Sequence, residues 1–315
     1  MRVGVVDIGT NSTRLLIADV EDGRVHEVER RSEVTRLGEG VDATGRLGEE
    51  PRARVLATLE AYDEAIREHG CDATTGVLTS AVRDAENGAE FADVVRTRFG
   101  LDVRTIPGEE EARLTFLGAT AARADPPGGS LLVIDIGGGS TEFVIGRSGE
   151  VAFNVSTQAG VVRQTERHLH SDPPAPTELR ALGDEVRGIV ADAVPVEVRA
   201  TVAAAVGVAG TATSCAAIAQ ELDPYDPNRV EGYVLELGEL ELLLARLAAM
   251  PLAERRQVVG LHPDRAPTIV AGVAILLEAL RAFDLERVEV SERDILWGTA
   301  IERASRASSD QTSSR

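Results

Sequence analysis

The sequence predicts an α/β protein built from two related domains, and three observations carry that prediction. At 315 residues the chain suits about two domains, each able to bury its own core. Helical patterns alternate with short apolar strands along most of it, the mark of α/β architecture. The third observation is an internal echo: VVDIGTNSTRLLI (residues 5–17) lies over VIDIGGGSTEFVI (residues 133–145) at an offset of 128, with seven of thirteen positions identical.

Each copy of the echo is an apolar strand ending in Asp-Ile-Gly, a turn of small residues, then Ser-Thr and a second apolar strand. Each reads as a β-hairpin, one per domain. After the first hairpin, residues 51–69 form a helix, with Pro51 at its start, Val55, Leu59, Tyr62 and Ile66 at helical spacing, and Gly70 as a stop. Strands follow at 76–79 and 103–106, with one helix ending at Phe99-Gly100 and another beginning near Glu109. The second half repeats the style. Helices are expected at 177–194, 213–221, 237–250, 266–283 and 294–305, and strands at 202–208 and 288–290. RADPPGGS (residues 123–130) separates the halves, and SDPPAP (171–176) is a loop within the second. The expected division is an N-terminal domain over 1–124, joined by a C-terminal helix at about 294–307, a second domain over 125–293, and a disordered tail at 308–315.

Composition excludes several classes. With 43% hydrophobic and 27% charged residues, the chain is neither wholly disordered nor collagen-like nor a disulfide-stapled miniprotein. A formal charge of −19 disfavours non-specific attraction to nucleic acid or anionic lipid, so any polyanion must be held by a local cluster of Arg, backbone N–H groups and a divalent cation. The long uncharged stretch over 201–220 is mostly Ala, Gly and Thr and reads as strand, turn and helix rather than a membrane span. The N-terminal MRVGVVDIGTNSTRLL reaches Asp7 before any apolar run of export-signal length, and Cys71 and Cys215 are too far apart for a metal knuckle or redox pair. A cytoplasmic location is expected.

A glycine-rich turn directly after a strand lets backbone N–H groups approach phosphate oxygens, because no Cβ blocks the approach. Gly9 and Gly137-Gly138-Gly139 are placed for this, the Ser-Thr after each turn adds hydroxyls, and Asp7 and Asp135 at the strand ends suit Mg²⁺ or its waters. One such turn would serve equally as a tight hairpin with Asp holding turn N–H groups. Two copies shift the balance toward a phosphate clamp between the domains. A third turn, residues 207–213 with Gly210 and Thr211, leads from a strand into a helix, whose N-terminus favours anions; close helix packing is its plainer explanation.

In GEEEARL (residues 108–114) the helix macrodipole alone accounts for one or two of the three glutamates, yet beside a polyphosphate a carboxylate there could orient or deprotonate water. Arg83, in TSAVRDAEN, could grip a phosphoryl group in bidentate fashion or simply be a solvated surface residue, and the same holds for Arg14. The counterpart of Arg14 in the second hairpin is Glu142, so the hairpins are specialised. His168 and His170 lack a third metal ligand, and Cys215 among Ala and Ser reads as a core thiol. Serine-hydrolase and P-loop signatures are absent.

Taken in order, VVDIGTNSTRLLI, TSAVRDAEN, GEEEARLTF, VIDIGGGSTEFVIG, GVAGTATSCAA, DPNRVEGY, DRAPTIVAGVAIL and SERDILWG resemble the blocks of the exopolyphosphatase/guanosine pentaphosphate phosphohydrolase (Ppx/GppA) family, nearly end to end. The resemblance implies two actin-like (RNase H-type) domains with an interdomain catalytic cleft, a final helix packed back on the N-terminal domain, and Mg²⁺-assisted (or other divalent-cation-assisted) release of terminal phosphate from inorganic polyphosphate. It implies Glu111 as general base, and Asp135 and Glu142 as catalytic groups assisting metal and water; Asp7, from its place at the strand end, is expected as a further metal ligand. Arg83, Asn11, Ser12, Thr13, Gly137, Gly138, Gly139, Ser140, Gly210 and Thr211 become the phosphate-binding set. Family habit suggests a homodimer. Longer members carry an additional helical region that this chain does not reach, which makes short polyphosphate the better substrate, and Glu231 stands where many relatives have His. The alternatives are guanosine pentaphosphate (pppGpp) as substrate, then an actin-like ATPase or sugar kinase, then a non-catalytic polyphosphate sensor.

Overall fold

The structure is a computed structural model that describes residues 1–313, with side chains through Ala307; of the disordered tail expected at 308–315, residues 308–313 instead continue the last helix, and 314–315 lie outside the described residues. The chain divides into two compact units, Met1–Arg123 with Arg293–Arg315, and Ala124–Glu292.

In the first unit the strands are β1 (Arg2–Ile8), β2 (Thr13–Glu21), β3 (Arg24–Glu33), β4 (Ala73–Leu78) and β5 (Val103–Thr105), in the sheet order β3-β2-β1-β4-β5. β1 to β3 form an antiparallel meander, while β1, β4 and β5 run parallel. β1 is apolar almost throughout because both its faces are covered. On one face Val6, Ile8, Leu15 and Ile17 meet Leu59, Tyr62 and Phe91 from the helices Glu49–Glu68 and Gly88–Phe99. On the other, Val3, Val5, Leu16 and Ala18 meet Leu296, Trp297 and Ala300 of the last helix, Ile295–Ser313.

The sequence reading missed β3. Its segment RVHEVERRSE is too charged to look like a strand, but charge is what keeps an exposed sheet edge from pairing with another chain. The signal was the turn before it: Asp22 and Gly23 both take positive φ, 49° and 75°, as a two-residue hairpin turn of the twist-matched type requires.

In the second unit β6 (Ser130–Ile136), β7 (Thr141–Arg147), β8 (Glu150–Thr157), β9 (Val202–Val208), β10 (Val234–Glu236) and β11 (Arg287–Val290) form a sheet ordered β10-β11-β9-β6-β7-β8. Read from β8, this repeats the meander-then-parallel order of the first sheet, with antiparallel β10 added at the far edge. The helix Ile269–Ala282 is buried over nearly its whole length and forms the centre of this core. Among the described residues, no helix is long and apolar enough to cross a membrane.

Candidate functional site

Within the first unit, the C-terminal ends of β1, β4 and β5 bring three sequence segments side by side. After β1, the Gly9 N–H donates to the Ser12 carbonyl at 3.0 Å and closes the turn. The Thr10 and Asn11 carbonyls accept from Gly38 and Arg36, both at 2.9 Å. Because N–H and C=O of a trans peptide point in opposite directions, the Asn11 and Ser12 N–H groups face away from that loop. After β4, the helix Ser80–Asp84 carries Arg83, and the Ser80 hydroxyl lies 2.8 Å from that of Thr10. After β5, the helix Gly108–Thr120 puts Glu111 in its first turn. Arg83 NH1 donates to Glu111 Oε2 at 2.9 Å and to the Ile106 carbonyl at 3.1 Å, so arginine and carboxylate are held as one unit; Glu111 is 8% exposed.

The second unit repeats the construction. The Gly137 N–H donates to the Ser140 carbonyl at 2.9 Å, the same closure found at Gly9. The carbonyls of Gly137 and Gly138 accept from Val161 and Val162 at 2.9 and 2.8 Å, and that of Gly139 from Arg163 Nε at 3.0 Å. The N–H groups of Gly138, Gly139 and Ser140 therefore face away from the helix Val161–His168, as a nest of donors suited to an anion. On the neighbouring strand, Ala209 takes a φ of 60° and turns the chain from β9 directly into the helix Ala209–Ala219, four residues earlier than the expected start at 213. Gly210 and Thr211 thus lie in its first turn. A Cβ on Gly210 would sit 1.6 Å from Arg265 NH1, so the guanidinium packs directly over that glycine.

The carboxylates divide by unit. Asp7 Oδ2 accepts from Arg14 Nε and NH2 at 2.8 and 2.6 Å, while its Oδ1 is buried and has no hydrogen-bond partner. Burial pushes the Asp7 carboxyl above the usual range, Arg14 opposes the shift and Asp294 adds to it. Asp135 and Glu142 are directly opposed across β6 and β7, so both side chains lie on one face of the sheet. Glu142 is 1% exposed and its Oε1 accepts from the Ser156 hydroxyl on β8 at 2.6 Å. Among the described residues, no group of three or more His, Cys, Asp or Glu side chains is arranged to hold a metal ion. Two neighbouring carboxylates nonetheless fit Mg²⁺, which takes one or two of them and completes its octahedron with water and substrate phosphate.

Of the residues singled out in the sequence, Arg83 and Glu111 are in contact, Asn11 and Ser12 lie in the first turn, and Gly137 to Ser140 form the second. Thr13 is not brought to that set: fully buried, its hydroxyl lies 2.9 Å from that of Thr35. Sequence reasoning missed Ser156, Arg163, Arg265 and Asp294. Only Ser156 had a usable signal, since a third strand paired with β7 places it beside Glu142.

Two sheets of the same strand order, each with a closed glycine turn and an aspartate at the end of its central strand, define an actin-like α/β protein. The sequence profile of the Ppx/GppA phosphatase family matches residues 16–300. The chain is 39% identical to exopolyphosphatase 2 of Mycobacterium tuberculosis over 96% of its own length and 98% of that protein. Its structure resembles the Aquifex aeolicus Ppx/GppA family member at a TM-score of 0.81 and 32% identity, covering 98% of both chains. It also resembles an exopolyphosphatase from Cytophaga hutchinsonii at a TM-score of 0.87 and 27% identity, covering 96% of this chain and 98% of the other. The chain belongs to the Ppx/GppA phosphatase family.

Proposed function

We propose that the chain is an exopolyphosphatase that releases the terminal phosphate of inorganic polyphosphate, with short chains as its substrates. The observation that carries this reading is the pairing of Arg83 with the buried Glu111 in the first turn of a helix, in the same unit as the Gly9 turn. A phosphoryl donor needs donors for its equatorial oxygens and a base for the attacking water, and little else.

In this reading the backbone N–H groups of the Gly9 turn, and those of Gly138, Gly139 and Ser140 in the other unit, are each suited to phosphate oxygens. Arg83 has N–H groups beyond the one given to Glu111 and steadies the terminal phosphoryl group. Glu111 accepts a proton from water as the water oxygen bonds to the last phosphorus. The bridging P–O bond breaks, and the shortened polyphosphate leaves with the electron pair. Asp135 and Glu142 would hold a divalent cation, Mg²⁺ in this proposal, which would offset charge on phosphate oxygens. A cytoplasmic homodimer completes the reading, and the two free thiols, Cys71 and Cys215, suit a reducing compartment.

The test is phosphate release from polyphosphates of defined length, with guanosine pentaphosphate as comparator. Mg²⁺-dependent release from short chains is expected, and Glu111→Gln should lower kcat by about 10²–10⁴-fold without unfolding the protein. Turnover of the nucleotide with no release from polyphosphate would replace the substrate, and a fully active Glu111→Gln enzyme would remove the base.

A further inference from the structure

We propose that Asp294 is a positioning residue for the first phosphate turn, acting through Arg14. The inference rests on reading the Gly9 turn as a phosphate grip.

Arg14 lies on β2 directly opposite Asp7, and its guanidinium is held from two sides. Nε and NH2 are given to Asp7 Oδ2, and NH1 to Asp294 Oδ2. A planar guanidinium fixed by a carboxylate on each side cannot rotate out of its plane without breaking charge-assisted bonds. Asp294 is itself buried and bonded. It is 3% exposed, and its Oδ1 accepts the Leu296 N–H at 3.0 Å, capping the last helix. Its carbonyl presses on the helix that carries Glu111, where a Cβ on Gly118 would lie 2.0 Å from the Asp294 oxygen.

At the other end, Asp7 is two residues before Gly9, and its Oδ2 lies 4.0 Å from where a Gly9 Cβ would be. A series of ion pairs therefore runs from the start of the last helix through Arg14 to Asp7, two residues along the chain from the turn. The charges bear on this as well. Two carboxylates share one guanidinium, so Arg14 is held between them and cannot collapse onto Asp7 alone. Removing the Asp294 charge releases one side of the guanidinium, and the turn loses its fixed support while its own sequence is untouched.

Capping and clamping separate experimentally. Asparagine still accepts the Leu296 N–H but no longer pairs with Arg14 as a charge, and serine caps without reaching it. Asp294→Asn should melt within a few degrees of wild type, raise KM for tripolyphosphate about tenfold and leave kcat within about twofold, the pattern of lost ground-state grip. If Asp294→Asn does not fold, Asp294→Ser serves in its place. In an Arg14→Gln background the same substitution should change KM no further, because its effect passes through Arg14. An unchanged KM in the single variant, or the same tenfold rise in the Arg14→Gln background, overturns the proposal. Wild-type protein that releases no phosphate from polyphosphate would instead defeat the exopolyphosphatase reading. The clamp is then judged by the thermal stabilisation that tripolyphosphate gives: a smaller shift in Asp294→Asn supports it, and an equal shift refutes it.

Discussion

Arg14 donates to one oxygen of Asp7 at 2.8 and 2.6 Å across β1 and β2, and at the equivalent place across β6 and β7 Asp135 faces not an arginine but Glu142. The two hairpins share their turn closure to within 0.1 Å, at 3.0 and 2.9 Å, yet differ in charge by two units at one position. In the first, the strand-end carboxylate has a cation of its own. In the second, two carboxylates lie side by side on one face. The duplicated hairpin thus keeps its backbone donors in both units and separates its electrostatic tasks.

Glu142→Gln tests that separation. Like charges directly opposed on a sheet destabilise it by about 0.2–1 kcal/mol. The glutamine carbonyl still accepts from Ser156, so metal-free stability should hold or rise by about that amount. Mg²⁺ should no longer raise the melting temperature, and phosphate release should fall at least a hundredfold. Melting curves with Mg²⁺ and with a chelator decide it; a variant that melts lower without metal but keeps its full Mg²⁺ response contradicts the assignment.

Asp7→Asn should give a pH-dependent gain in stability. Burial raises the Asp7 carboxyl, with Asp294 adding to the effect and Arg14 opposing it. The native state therefore keeps this proton to higher pH than the unfolded chain does. In that window it binds more protons, and stability falls as pH rises. The neutral amide has no such slope. Its advantage over wild type should open as pH climbs above about 4, the ordinary carboxylate value, and persist at neutral pH. Urea unfolding across pH measures the difference, and a gap that does not vary with pH removes the explanation.

The architecture was legible in the sequence because two signals repeat: the strand-turn-strand echo at an offset of 128, and apolar spacing such as Val55, Leu59, Tyr62 and Ile66. Asp7 and Asp135 stood out because they lie at the ends of apolar strands, and Arg83 and Glu111 because they lie early in the segments after two others, where parallel α/β sheets collect their functional groups. What escaped was either an edge or a long-range contact. β3 is polar since it borders solvent, and Arg14 meets Asp294 across 280 residues of sequence. No local pattern encodes such a pair. Thr13 shows the opposite failure: the Ser-Thr repeat suggested two hydroxyl ligands, but alternation along β2 turns the second into the core toward Thr35.

Gly160→Ala should damage the triple-glycine turn from outside it. A Cβ there would lie 2.2 Å from the Gly139 carbonyl carbon and 2.3 Å from the Gly138 oxygen, both backbone atoms that no rotamer can move aside. The helix Val161–His168 would have to back away, breaking its bonds to the Gly137 and Gly138 carbonyls. Overpacking of this kind costs about 1–3 kcal/mol. Phosphate release should fall further than stability, because the donors that grip the substrate lose their support. A variant that is destabilised but catalytically unaltered would show that the turn does not need this helix.

Two exposed-versus-packed glycines provide a paired test of helix packing around Glu111. Gly298 of the last helix would place a Cβ 1.8 Å from the Leu114 carbonyl oxygen, and Gly118 would place one 2.0 Å from that of Asp294, so the last helix and the Glu111 helix touch backbone to backbone. Gly298→Ala must force them apart, with a loss of about 1–3 kcal/mol and a fall in kcat as Glu111 shifts against Arg83. Gly188, in the helix Pro176–Ala193, has nothing within 4 Å of its missing Cβ. There alanine only removes the entropic penalty of glycine, and Gly188→Ala should stabilise by about 0.5–1 kcal/mol with kcat unchanged. Denaturant midpoints for the two variants should therefore move in opposite directions. If both move the same way, glycine-mediated approach of the two helices is not what holds Glu111 in place.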